Sequence, residues 1–117
     1  MSAKNFDLQP LLEAVSDDPD IMSQVIQMFI QSTRENLEAI REAIQNHDAK
    51  AVKCSAHHLK GSLLEFSAQK AVALSLQLEK LGATEQLAAA DGVWRELDAE
   101  IRDLVAELQQ TEYLRSA

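Results

Sequence analysis

Glycine and proline are scarce in this chain, with three of the first and two of the second among 117 residues. Alanine, leucine, glutamine and glutamate are plentiful instead, a balance that favours helices and argues against a sheet protein. Only 4% of residues are aromatic. Cys54 is the single cysteine, which excludes an internal disulfide and suits a reducing compartment. No run of about 18 apolar residues exists, which excludes a membrane-spanning helix. Met1-Ser2-Ala3-Lys4-Asn5 is not followed by an apolar signal core, so a cytoplasmic protein is expected. There is no Gly-x-x-x-x-Gly-Lys loop or other Gly-rich segment to hold ATP phosphates, so no kinase activity of its own is expected. A net charge of −8 excludes nucleic acid as a bulk partner, because the phosphate backbone would be repelled.

What the chain does have is apolar periodicity. With 46% apolar residues in 117, it can bury a core, and the length fits one domain spanning residues 1–117. Asp7 can cap a short first helix, with Pro10 in its first turn and Leu8, Leu11, Leu12 and Val15 on its apolar side. Asp18 then caps a second helix with Pro19 at its first position, and Ile21 to Ile44 reads as one long rod. Met22, Ile26, Phe29, Thr33, Leu37, Ile40 and Ile44 form its main stripe. Ile21, Val25, Met28 and Ile30 widen that apolar surface, and packing against the first helix is the expected use.

Asn46-His47-Asp48 reads as a turn, with Asp48 capping a third helix that runs to about Glu65. Ser67 can cap a fourth, Ala68 to Leu81, with Ala71, Leu74, Ser75, Leu78 and Leu81 inward and Gly82 as its stop. Thr84 can start a fifth that reaches Gln110. Leu87, Ala90, Trp94, Leu97, Ile101, Leu104 and Leu108 line it with a seven-residue period. The expected fold is all-α: an antiparallel up-down four-helix bundle, crossed at about 20°, with a short additional N-terminal helix over one end.

The third helix carries the informative stretch, Ala56-His57-His58-Leu59-Lys60-Gly61-Ser62. Val52, Ala56, Leu59, Leu63 and Phe66 form its buried stripe, and buried structural packing is the default for Cys54 beside it. Lys50, Lys53, His57, Lys60, Gly61 and Leu64 share the opposite face. From Ala49 to Leu64 there is no acidic residue and there are three lysines, a local positive patch on an acidic body. Such a patch is what a small-anion site looks like, and phosphate on or near His57 fits it. Gly61 adds to this. A mid-helix glycine costs about 0.8–1 kcal/mol relative to alanine, and close approach of another backbone to this face would offset that cost.

The stretch resembles the signature of histidine phosphotransfer (HPt) domains of multistep two-component phosphorelays. Carried over by position, His57 and not His58 corresponds to the phosphorylated histidine, and Lys60 and Gly61 match the motif's lysine and glycine. Ser67-Ala68 stands where the family usually has Gly-Ala, and Leu63 stands where a serine often follows Ser62. Phe6-Asp7, Asp17-Asp18-Pro19-Asp20 and Leu78-Glu79 also sit where the family would have them.

The resemblance implies a phosphocarrier rather than an enzyme. His57 accepts a phosphoryl group from a response-regulator receiver aspartate and returns it to another receiver, and Lys60 stabilises the phosphate. Lys53, Gly61, Ser62 and Leu64 are the candidate partner-binding residues. The implied partners are receiver domains and a hybrid histidine kinase. No cofactor or metal of its own is expected, because the receiver brings Mg²⁺. A monomer is expected, and Met1 directly ahead of the first helix fits a domain that works alone.

Two other readings compete. A di-iron bundle needs Glu-x-x-His pairs, but Ile44, Cys54 and Ser55 precede the three histidines by three, so that version fails; Cys54 and His58, one turn apart, leave a zinc site open. The other is a non-catalytic helical scaffold with a degenerate site.

Overall fold

The computed structural model describes residues 5–115, and Met1 to Lys4, on which the reading of the chain start partly rests, lie outside the described residues. The described chain is helical throughout, with no strand. A short α1 (Gln9–Ala14) precedes the long α2 (Pro19–Gln45), α3 (Ala49–Glu65) and α4 (Gln69–Ala83). A 3₁₀ turn at Leu87–Ala89 then leads into α5 (Ala90–Gln109). Turns too short for a crossover make successive long helices antiparallel. Their end contacts agree: the start of α5 meets the end of α2 where the Trp94 indole N–H donates to the Leu37 carbonyl at 2.8 Å. The start of α2 meets the end of α3 where Phe29 and Phe66 stack, with ring centroids 3.8 Å apart.

Sequence dictates two of the helix starts, those of α2 and α3. Asp18 Oδ1 accepts from the Asp20 and Ile21 amides at 2.9 and 3.2 Å, with Pro19 at the first helical position. Asp48 Oδ1 accepts from the Ala51 amide at 3.0 Å. Asp7 does not cap α1 as expected; its Oδ1 accepts from the Gln9 amide at 2.9 Å, but Leu8 occupies the cap position.

The helix ends follow one rule that the sequence reading missed. α1, α2, α3 and α4 each close with a residue in the left-handed region: Ser16 (φ 55°), His47 (54°), Ser67 (55°) and Glu85 (55°). The paired bonds around each are those of a Schellman motif, for instance Ser67 N–H to the Leu64 carbonyl and Ala68 N–H to the Leu63 carbonyl. Ser67 is therefore the residue that ends α3, not the cap of α4, and α4 starts at Gln69 rather than Ala68.

Gly82 is likewise not a stop. It lies inside α4, and a Cβ built on it would sit 2.6 Å from the Lys53 amide nitrogen and 2.7 Å from the Ala49 carbonyl oxygen. It lets α4 press against the first turns of α3. Thr84 ends α4 instead of starting the last helix.

The core is aliphatic. Met22, Ile26, Ile40, Val52, Ala56, Leu59, Leu63, Leu78, Leu97 and Leu108 are fully buried. In α2 the final inward position is Ala43 rather than Ile44, and in α4 it is Gly82 rather than Leu81. Trp94 is half-buried rather than a core residue. The first helix lies on the bundle through half-buried Leu8, Leu11, Leu12 and Val15. Of the extra apolar residues of α2, Val25 and Ile30 pack on the core, whereas Ile21 and Met28 stay exposed. Among the described residues no helix is long and apolar enough to cross a membrane.

Candidate functional site

Burying Val52, Ala56, Leu59 and Leu63 fixes the roll of α3 and so decides what its other face shows. The His57 side chain is 68% exposed. Its Nδ1 lies 3.1 Å from Oε2 of Glu79, on α4. Lys60, one turn on from His57, sends its Nζ to the other oxygen of the same carboxylate, 2.8 Å from Oε1. Glu79 thus bridges the two residues that the motif singles out. Both Lys60 and Glu79 are about four-fifths covered, at 20% and 19% exposure, so the carboxylate is held from two sides beneath an exposed ring.

The Lys60 ammonium bonded to it holds the Glu79 carboxyl below its ordinary value. Partial burial pushes the other way, and the His57 bond adds to the lowering. An ionised carboxylate can only accept, so the proton of a neutral ring sits on Nδ1 and the lone pair is left on Nε2. The outcome is an outward-facing imidazole with a carboxylate behind it and its Nε2 lone pair free.

The remaining sequence-selected residues fall as follows. Gly61 is exposed, and a Cβ added there would meet nothing within 4 Å, so the notch beside His57 is open to solvent. Leu64 is 56% exposed one turn further along. Ser62 is half-buried at the edge of this face. Lys50 and Lys53 are exposed and form no ion pair among the described residues. Cys54, expected to be buried, is exposed, because the stripe at Val52 and Ala56 rolls position 54 outward. His58 and His47 are exposed and bring no partner to the site. Among the described residues no three His, Cys, Asp or Glu side chains come together as metal ligands.

Glu79 is the site residue that reading the motif alone passes over. The signal for it lay in α4: it directly follows Leu78 in the inward pattern, at the flank of the buried stripe.

A four-helix bundle carrying a solvent-facing histidine at this point of its third helix defines a class. Residues 24–111 match the family model of the Hpt domain, and the chain belongs to that family of histidine phosphotransfer domains. The crystal structure of histidine-containing phosphotransfer protein B from Pseudomonas aeruginosa PAO1 superimposes with a TM-score of 0.88. The match covers 99% of this chain and 100% of that one at 22% identity, a likeness of fold. No curated protein matches the sequence.

Proposed function

We propose that this protein is a phosphocarrier of a two-component phosphorelay, accepting a phosphoryl group on His57 from a receiver-domain aspartyl phosphate and passing it to a second receiver. The observation that carries the reading is the shared carboxylate: His57 Nδ1 and Lys60 Nζ on the two oxygens of Glu79, with the ring itself exposed. Nε2 attacks phosphorus in line, the N–P bond forms, and the P–O bond to the receiver aspartate breaks, returning its carboxylate. The ring keeps its Nδ1 proton and becomes cationic as the bond forms. Glu79 lies where that charge develops, and stabilising developing charge is a main source of catalysis in such transfers.

Lys60 has three N–H donors and one faces Glu79, which leaves two for phosphoryl oxygens. Lys53, Gly61, Ser62 and Leu64 form the surface on which a receiver sits. The open notch at Gly61 admits its backbone, and Leu64 offers it an apolar contact. Mg²⁺ belongs to the receiver, and the protein acts as a cytoplasmic monomer with no kinase activity of its own.

The test is transfer from a set of phosphorylated receivers to the native protein, His57→Gln and His58→Gln. Acid-labile, alkali-stable label lost only in His57→Gln is the expected result. Label that survives His57→Gln overturns the assignment, and a native protein that takes no label from any receiver points to a non-catalytic scaffold.

A further inference from the structure

On the opposite side of the bundle, α2 and α5 diverge and leave a groove of about 390 Å³ to which neither α3 nor α4 contributes. Its floor is apolar, with Leu37 and Ile101 almost fully buried and Val105 half-buried. Its walls run from Ile30 to Arg41 on α2 and from Trp94 to Gln109 on α5. At 1.5 Å per residue those stretches are about 16 and 22 Å long, so the groove is elongated rather than a compact ligand cup.

The rim carries three arginines against two carboxylates, Glu38 and Asp98, a small positive excess on an acidic molecule. Of the five arginines in a chain of net charge −8, Arg34, Arg41 and Arg102 line this one groove. Arg102 is engaged by Asp98 at 3.0 Å. Arg34 and Arg41 are exposed and form no ion pair among the described residues. The Arg41 guanidinium lies 5.8 Å from the centre of the Trp94 ring, and the indole is locked by its bond to the Leu37 carbonyl. A preset aromatic residue, two unpaired guanidiniums and an apolar floor are the ingredients of a binding hot spot.

We infer that this groove is a docking site for an acidic amphipathic helix from a partner protein. Arg34 and Arg41 are seven residues, two turns, apart along α2, which sets their backbones about 10 Å from each other. A helix laid in the groove presents carboxylates at i and i+7 with the same separation. Its residues at i+3 and i+4 face the floor between Leu37 and Trp94. A second copy of this chain is the weaker occupant, because each copy carries a charge of −8. The site is independent of His57, so a receiver could hold the phosphotransfer face while another partner holds this one.

Trp94 is the only tryptophan, so its emission reports on the groove directly. The probe is a synthetic helical peptide with glutamates at i and i+7 and leucines at i+3 and i+4. Controls are a composition-matched scramble and a version with lysines for the glutamates. Saturable change in Trp94 emission with the glutamate helix only, weakened at least tenfold by Arg34→Glu with Arg41→Glu and unaltered by His57→Gln, is the expected result. The double variant binding the lysine helix instead is expected as well, and shows that it folds. Equal response to all peptides, no saturable response, or dimerisation of the protein alone that the same double variant abolishes would each overturn the proposal. Retention of phosphotransfer by the double variant keeps this result separate from the fate of the His57 reading.

Discussion

Glu79 is the residue on which the site's electrostatics converge. Three lysines and no acidic residue between Ala49 and Leu64 make α3 look cationic in isolation. In the folded chain, α4 supplies the missing carboxylate and spreads it over His57 and Lys60. His57 and Lys60 were legible because their motif lies within seven consecutive residues of one helix. Glu79 lies 22 residues from His57, and its place after Leu78 at the flank of the buried stripe does not by itself say which residues of α3 it meets. Glu79→Ala is expected to slow phosphotransfer about tenfold through loss of charge stabilisation behind the ring, read by single-turnover labelling; an unchanged rate would reduce Glu79 to a packing residue. The same carboxylate makes stability depend on pH. Its folded pKa lies below its ordinary value of 4.5, so its contribution is complete above that value and is lost as pH falls through the lowered one. The melting temperature of the native protein is therefore expected to fall more steeply as pH drops below about 4.5 than that of Glu79→Gln. Parallel acid limbs in the two proteins would contradict this.

At the scale of helices, two glycines that both lie inside helices do opposite things. Gly82 lets the backbones of α4 and α3 meet, and alanine there would place Cβ 2.6 Å from the Lys53 nitrogen. Gly82→Ala is expected to destabilise the fold by about 2 kcal/mol, because overpacking outweighs the gain in helix propensity. Gly61→Ala meets open space and is expected to stabilise by about 0.8–1 kcal/mol, while lowering the rate of transfer from a receiver that must approach this face. A Gly61→Ala protein that melts higher and transfers as fast would show that the glycine serves no docking purpose. The helix starts at Asp18 and Asp48 were readable because a cap is a local hydrogen bond. The ends were legible to within two residues, but their left-handed closing positions were not, because Ser16, His47, Ser67 and Glu85 hold them instead of the glycine that signals them. Ser67 stands where Hpt sequences usually have glycine, and its φ of 55° supplies the reason. Ser67→Gly is expected to raise stability by about 1 kcal/mol by relieving that conformation, seen as a higher urea midpoint at unchanged slope.

For the molecule as a whole, the division between core and site bears on how phosphorylation at His57, as proposed, would be transmitted. The site residues stand on the outer faces of α3 and α4, and apart from the Glu79 bridge the side chains that hold the helices together are elsewhere. Leu59 and Leu63 on the inner face of α3 and Leu97 and Leu108 on that of α5 are at 0% exposure. A close-packed interior offers no second arrangement for a surface charge to select, since packed cores shift between discrete states and do not deform continuously. On the proposed function, a phosphoryl group on His57 would change charge and shape on one face only, and a receiver would recognise that local change rather than a rearranged bundle. Amide and methyl NMR spectra of the protein before and after phosphorylation by a small phosphoryl donor test this. Shifts are expected along α3 from Val52 to Leu64 and around Glu79, with the methyl signals of Leu97, Leu104 and Leu108 and the indole N–H of Trp94 in place. Movement of those distant groups would mean that the bundle has a second packing and that phosphorylation is read through it.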